Sequence, residues 1–182
     1  MGRLYYITGG AGSGKSEYAE QLAERLHAEL AGPLYYVATM HPAPRDSDAA
    51  ARIEKHQKRR AGRGYTTIEC PTDIAQLRAQ TLKNAVFLLE DLTNLYANEV
   101  YGTSGHPHEI VAPLLELAQQ AGAVIIVANE LYSDGIAYAP ETDRFLRDLA
   151  GLAAALSAAA DQVTEVVYGI PVQLKGVLCS IH

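Results

Sequence analysis

Cysteine is scarce in this 182-residue chain, and its two examples, Cys70 and Cys179, lie far apart without CxxC spacing. Neither a disulfide framework nor a thiolate metal site is therefore expected. Long apolar runs are missing as well: no stretch approaches the roughly 20 residues that a membrane-spanning helix needs. The opening MGRLYYITGG has no extended apolar core ahead of a small-residue cleavage site. No secretion signal is expected on that pattern, and the cytoplasm is the expected location. Basic charge is in deficit, with 15 Lys and Arg against 21 Asp and Glu and a net charge of −6. That balance argues against general nucleic-acid binding, which draws its affinity from neutralised phosphates. It leaves room for a local basic pocket around one triphosphate. Repeats, linkers and low-complexity tracts are absent apart from the Ala-rich 153–160, and one domain over residues 1–182 is expected.

What is present is ordinary for a globular fold, with 48% hydrophobic and 20% charged residues. Short β-rich apolar runs occur at Leu4–Thr8, Leu34–Thr39, Ala85–Leu89, Ala123–Ala128 and Val163–Tyr168. They alternate with helical patterns at about 15–30, 48–60, 72–82, 109–121 and 142–160. Unbroken rather than alternating apolarity predicts strands covered on both faces, as in a parallel sheet. The βαβα order predicts an open three-layer α/β fold. Ile170–Leu174 is a candidate last strand, set off by Gly169 and Pro171. Segments 40–47 and 101–108, rich in Pro, Gly and Ser, read as loops.

Residues 9–16 read GGAGSGKS and match the phosphate-loop pattern GxxxxGK[ST]. Gly9, Gly10, Ala11, Gly12, Ser13, Gly14, Lys15 and Ser16 are the candidate nucleotide contacts. Glycines allow successive backbone N–H groups to turn inward around a phosphate, and the helix that follows adds its dipole. Lys15 supplies a mobile cation to the β- and γ-phosphates, and the Ser16 hydroxyl is a candidate Mg²⁺ ligand. An apolar strand before the loop and an amphipathic helix after it supply the expected context, against the alternative of a plain Gly-rich turn. A second Mg²⁺ contact is expected from a carboxylate at the end of a neighbouring strand, and VFLLED ends in Glu90 and Asp91. Side chains alternate along a strand, so one of the two faces the nucleotide. Glu90 is favoured on the metal and Asp91 as the cap of a following helix.

The segment DAAARIEKHQKRR, residues 48–60, is dense in cations. At 3.6 residues per turn Arg52, His56, Arg59 and Arg60 share one face. An imidazole kept neutral by neighbouring cations suits attack on an α-phosphate while the guanidiniums hold the other phosphates. A histidine in a charged run is also, more simply, a solvated residue. Asn129 and Glu130 follow a strand end, where open α/β sheets bind ligands, or else start a loop.

These motifs occur in a telling order: GGAGSGKS, YYVAT, D-x-D-x-x-x-R-I-x-x-H from Asp46 to His56, LLED, ANE, and AAADQV followed by GIP. In that order the chain resembles the bifunctional adenosylcobinamide kinase / adenosylcobinamide-phosphate guanylyltransferase family of cobalamin biosynthesis over nearly its whole length. Its most specific element is Arg52–Ile53 followed by His56. The resemblance implies a three-layer P-loop NTPase fold of the RecA-like kind, with a mainly parallel central sheet. It implies phosphorylation of the aminopropanol hydroxyl of adenosylcobinamide by ATP or GTP. It further implies transfer of GMP from GTP through a guanylyl-histidine to the phosphate so made, with release of pyrophosphate. On this reading His56, Lys15 and Arg52 are catalytic, and Thr39 and Glu69 join Glu90 and the loop as nucleotide contacts. Ser16 and Glu90 serve Mg²⁺. A homotrimer is implied by the resemblance alone.

The chain also departs from the family pattern. Gly12 stands where an arginine is usual, Ala128 where Thr or Ser often precedes Asn129–Glu130, and Tyr65 where a tryptophan is usual. Residues 141–156 keep Glu141, Arg144, Arg147 and Asp148 but lack the usual Asn-Gln pair. Two other readings stay open at this level: a small-molecule P-loop kinase with no histidine intermediate, and a nucleotide-binding regulatory module.

Overall fold

The computed structural model describes residues 2–40, 60–80, 82–102, 109–132 and 135–177. The apolar runs become strands because their neighbouring residues point to opposite faces and both faces are covered. The strands are β1 (Arg3–Gly9), β2 (Leu34–Ala38), β3 (Tyr65–Glu69), β4 (Val86–Glu90), β5 (Ala123–Asn129), β6 (Gln162–Val167) and β7 (Ile170–Lys175). The helices are α1 (Lys15–Leu30), α2 (Leu92–Tyr101), α3 (Val111–Gln120) and α4 (Pro140–Ala159), with a 3-10 segment at Ile74–Ala79. The described strands form one sheet in the order β3-β2-β4-β5-β1-β6-β7. All pairings are parallel except the β6–β7 hairpin, which is antiparallel.

On one face α1 lays Tyr18, Ala19, Leu22, Ala23 and Leu26 against Tyr5, Ile7, Tyr36, Leu88, Ile125 and Val127. On the other, α2, α3 and α4 bring Leu92, Leu95, Leu114, Leu117, Leu149 and Leu156 against Leu4, Tyr6, Val37, Phe87, Leu89 and Ile126. Adjacent strand residues thus serve opposite cores: Tyr5 and Ile7 one, Leu4 and Tyr6 the other. Each such side chain contributes about 1.5–3 kcal/mol when fully buried. Helices on both faces of a mainly parallel sheet make the three-layer α/β architecture expected from the sequence.

Several elements differ from expectation. β3 was not expected, because YTTIE is an edge strand with Thr66, Thr67 and Glu69 exposed and so lacks an apolar signature. α2 was not among the helical patterns, since its asparagines interrupt the apolar periodicity, although Asp91 was read as a cap. The helix expected at 72–82 is only the 3-10 segment Ile74–Ala79. Of the helix expected at 48–60, all but Arg60 lies outside the described residues, as do most of the loop at 40–47 and residues 103–108 of the loop at 101–108. Tyr168, read as the end of a strand, belongs to the β6–β7 turn.

Candidate functional site

Parallel strands place their C-terminal ends on one edge of the sheet, and the candidate residues gather there. Register pairs Ala38 with both Glu69 and Glu90, Glu90 with Val127, and Gly9 with Asn129. From β1 the chain enters the loop at Gly9, whose φ is +151. A Cβ there would lie 2.5 Å from the Val166 carbonyl oxygen, so only glycine fits against β6. The loop closes on itself through the Ser13 N–H to the Gly10 carbonyl at 3.2 Å. It ends at Gly14, which starts α1 in the left-handed region at φ +93 with no side-chain cap. An uncapped N-terminus keeps its first N–H groups available to an anion, and the helix dipole favours one there.

Lys15, only 7% exposed, folds back to donate from Nζ to the Gly10 carbonyl at 3.0 Å. Burial lowers its pKa, opposed by the charges of Asp91 and Glu90, which face it. On the loop and the strand ends that flank it, three oxygens are buried without a hydrogen-bond partner among the described residues: Thr8 Oγ1, Ser13 Oγ and Glu90 Oε2. Unmade hydrogen bonds of this kind are costly in a folded chain, and a bound ligand is one way to complete them. Glu90 Oε2, together with the Ser16 hydroxyl on the first turn of α1, offers the hard oxygen donors that Mg²⁺ prefers when phosphates supply the remaining ligands. The residues present therefore fit that ion.

Next to this open cluster lies a closed one. Asp91 caps α2, its Oδ1 accepting from the Asn94 N–H at 2.7 Å, while its Oδ2 accepts from Asn129 Nδ2 at 3.1 Å. The Glu90–Asp91 peptide is cis. The Thr39 hydroxyl accepts from the Asp91 N–H at 2.7 Å and donates to the Asp91 carbonyl at 2.8 Å. Asn98 Nδ2 donates to the carbonyls of Thr39 and Pro71, at 2.7 and 2.9 Å. Burial raises the Asp91 carboxyl pKa, against the opposing pull of the Asn94 N–H. Thr39, fully buried, thus spends its hydroxyl on holding the chain beside the carboxylates.

The other expected site residues fall as follows. Glu69 ends β3 and is exposed. Glu130 donates its N–H to the Gly9 carbonyl at 3.3 Å and turns its carboxylate to the Tyr132 N–H at 3.1 Å. His56 and Arg52 lie outside the described residues. Arg60, read on the same helix face, is 6% exposed, with its guanidinium carbon 3.2 Å from the centre of the Tyr36 ring and Nη1 4.0 Å from Glu20 on α1. A stacked, paired arginine of this kind fixes the chain where it rejoins the described core. The Asn98 clamp and the Arg60 seat escaped the sequence reading, because both join residues far apart in sequence and neither belongs to a motif. A further cleft, about 330 Å³, opens between α2 and α4 around Tyr96, Tyr101, Arg144, Phe145 and Asp148. In it the Phe145 ring lies 5.1 Å from Tyr96 and 5.7 Å from Tyr101, centre to centre.

The chain is similar to known proteins over most of its length. Residues 5–174 match the family model described as cobinamide kinase / cobinamide phosphate guanyltransferase. The bifunctional adenosylcobalamin biosynthesis protein CobU of Escherichia coli is 34% identical over 191 residues, covering 94% of this chain and 99% of that one. The bifunctional adenosylcobalamin biosynthesis protein CobP of Pseudomonas aeruginosa is 31% identical over 176 residues, covering 93% and 96%. Among solved structures, the flagellar accessory protein FlaH of Methanocaldococcus jannaschii superposes with a TM-score of 0.55 at 14% identity, over 96% of this chain and 78% of that one. A second solved structure, of an ATPase domain, does so at 0.51 and 10% identity, over 90% and 68%. At such identities these two establish the fold alone, a RecA-like P-loop NTPase fold. With its phosphate loop, its strand-end carboxylate and a match over most of its length, the chain belongs to the cobinamide kinase / cobinamide phosphate guanyltransferase family.

Proposed function

We propose that the protein phosphorylates adenosylcobinamide and then converts the phosphate to adenosylcobinamide-GDP, using the Gly9–Ser16 loop for the nucleotide and His56 as the carrier of GMP. The observation that carries this reading is the set of buried oxygens on the loop and its flanking strand ends that have no partner among the described residues, next to an uncapped helix start. Family membership supplies the substrates.

In the kinase step the loop N–H groups and Lys15 hold the β- and γ-phosphates of ATP or GTP, and the substrate hydroxyl attacks the γ-phosphorus. The bond to the β-phosphate oxygen breaks, a nucleoside diphosphate leaves, and the hydroxyl proton is released to solvent. In the second step a neutral His56 nitrogen attacks the α-phosphorus of GTP, and the bond to pyrophosphate breaks. A phosphate oxygen of adenosylcobinamide phosphate then displaces the imidazole, which regains its neutral form. The P–N bond keeps most of the transfer potential of the anhydride, so no second nucleotide is consumed. Lys15 and Arg52 neutralise charge as it builds on the departing oxygens. When bound, Mg²⁺ spreads the phosphate charge, and Ser16 and Glu90 are the residues that would hold it. Glu69 and Thr39 border the same edge, Thr39 acting through its grip on Asp91.

The same reading makes the protein a cytoplasmic homotrimer. No described helix is long and apolar enough to cross a membrane. The test is product analysis with adenosylcobinamide, GTP and Mg²⁺. Wild type is expected to give both the phosphate and the GDP ester, and His56→Ala only the phosphate. A His56→Ala enzyme that still makes the GDP ester contradicts the histidine carrier.

A further inference from the structure

The β6–β7 hairpin turns on two residues, Tyr168 and Gly169, which join Val167 to its cross-strand partner Ile170. Both have positive φ, +49 and +79. Asn-Gly and Asp-Gly fill such turns without strain, whereas a bulky side chain at the first position is unfavourable. Tyrosine stands there nonetheless, and burial gives it no compensation, since it is 94% exposed. Strain at an exposed residue, unrelieved by packing, is a mark of function.

The turn has a definite neighbour. The Gly169 N–H donates to the Ser13 carbonyl at 2.7 Å, and a Cβ on Gly14 would lie 3.2 Å from the Gly169 Cα. The hairpin tip is therefore fastened to the wall of the phosphate loop. Beside it stand the exposed side chains of Val167 and Ile170, 38% and 65% accessible, which extend the apolar surface. The loop itself, GGAGSGKS, carries no aromatic ring on which a base could stack.

We propose that Tyr168 is the stacking platform for the nucleobase of the nucleotide seated in the Gly9–Ser16 loop, an assignment that rests on the nucleotide reading above. Stacking fits the chemistry asked of the site. Every base has a π face, so a ring contributes affinity without reading the base edge. That is the contact a site using either ATP or GTP for one of its steps requires.

Isothermal titration with GTP, ATP and inorganic tripolyphosphate, each with Mg²⁺, on wild type, Tyr168→Phe and Tyr168→Asn separates the ring from the loop. Asparagine tolerates the left-handed conformation and keeps the turn. Tyr168→Asn is expected to weaken both nucleotides about tenfold while leaving tripolyphosphate unchanged, and Tyr168→Phe to bind like wild type. Unchanged nucleotide affinity in Tyr168→Asn overturns the platform, and so does an equal loss for tripolyphosphate, which would make the turn a brace for the loop. A wild type that binds tripolyphosphate as tightly as GTP also overturns it, with the loop reading intact. A wild type that binds none of the three removes the nucleotide reading itself and the platform with it.

Discussion

Two neighbouring clusters on the C-terminal edge of the sheet are built on opposite principles. At the loop that carries Lys15 and the strand ends beside it, polar groups are left open among the described residues: an uncapped helix start, and the unpaired oxygens of Thr8, Ser13 and Glu90. One residue further along the chain, from Asp91 to Thr39, Asn98 and Asn129, the polar groups are closed by direct hydrogen bonds of 2.7 to 3.1 Å. Both clusters are at least partly buried and both are polar. The open one is in deficit until a ligand arrives, whereas the closed one is complete without it. Removing a group from the first should therefore harm chemistry and spare the fold, and removing one from the second should do the reverse.

Lys15→Ala probes the open cluster most severely. It is expected to lower both transfer rates by on the order of 10²–10³ while leaving the melting temperature within a few degrees, read by steady-state kinetics and calorimetry. Glu90→Gln is nearly isosteric and is expected to cost about a hundredfold in rate. Because Glu90 Oε2 has no partner among the described residues, stability without nucleotide should hold or rise. Thr39→Val, by contrast, strips the partner from the buried N–H and carbonyl of Asp91. It is expected to cost about 2 kcal/mol, a fall of about 4–8 °C in melting temperature. If Thr39→Val lowers activity with no change in melting, the division between the clusters fails.

The smallest effect is a pH dependence next to the closed side. Cys70, fully buried and held between Ala38, Thr72 and Gln76, has its thiol pushed up by burial from 9.0 to about 11. The fold favours the neutral thiol, so this contribution is present below pH 9 and is lost as pH rises towards 11. Mass spectrometry after iodoacetamide treatment should find Cys70 unmodified in the native protein at pH 8 and modified in denaturant. Rapid native labelling at pH 8 would show this side of the edge to be open.

The open cluster was legible in the sequence because its chemistry dictates its residues: glycines for the loop, lysine for the phosphates, a carboxylate after an apolar strand. The strands β1, β2, β4 and β5 were legible because burial on both faces writes unbroken apolar runs, β6 from its β-branched residues, and α1 from apolar residues recurring at helical spacing behind the loop. β3 was not, because Thr66, Thr67 and Glu69 face solvent at the sheet edge. α2 was missed because Asn94 and Asn98 break its apolar periodicity, Asn98 spending its side-chain amide on the Thr39 and Pro71 carbonyls rather than on packing. The closed cluster joins residues 38, 52 and 59 positions apart, and only the fold brings them together. Thr39 was expected as a nucleotide contact, and its hydroxyl is found engaged with the Asp91 backbone.

The proposed passage of GMP through His56 is open to covalent labelling. GTP carrying label at the α- or the γ-phosphate is incubated with the protein and Mg²⁺, for wild type and His56→Ala. Acid-labile, base-stable protein label is expected from the α-position only, and none in His56→Ala. A protein that binds GTP yet takes up no α-label, or takes it up equally in His56→Ala, would contradict that route.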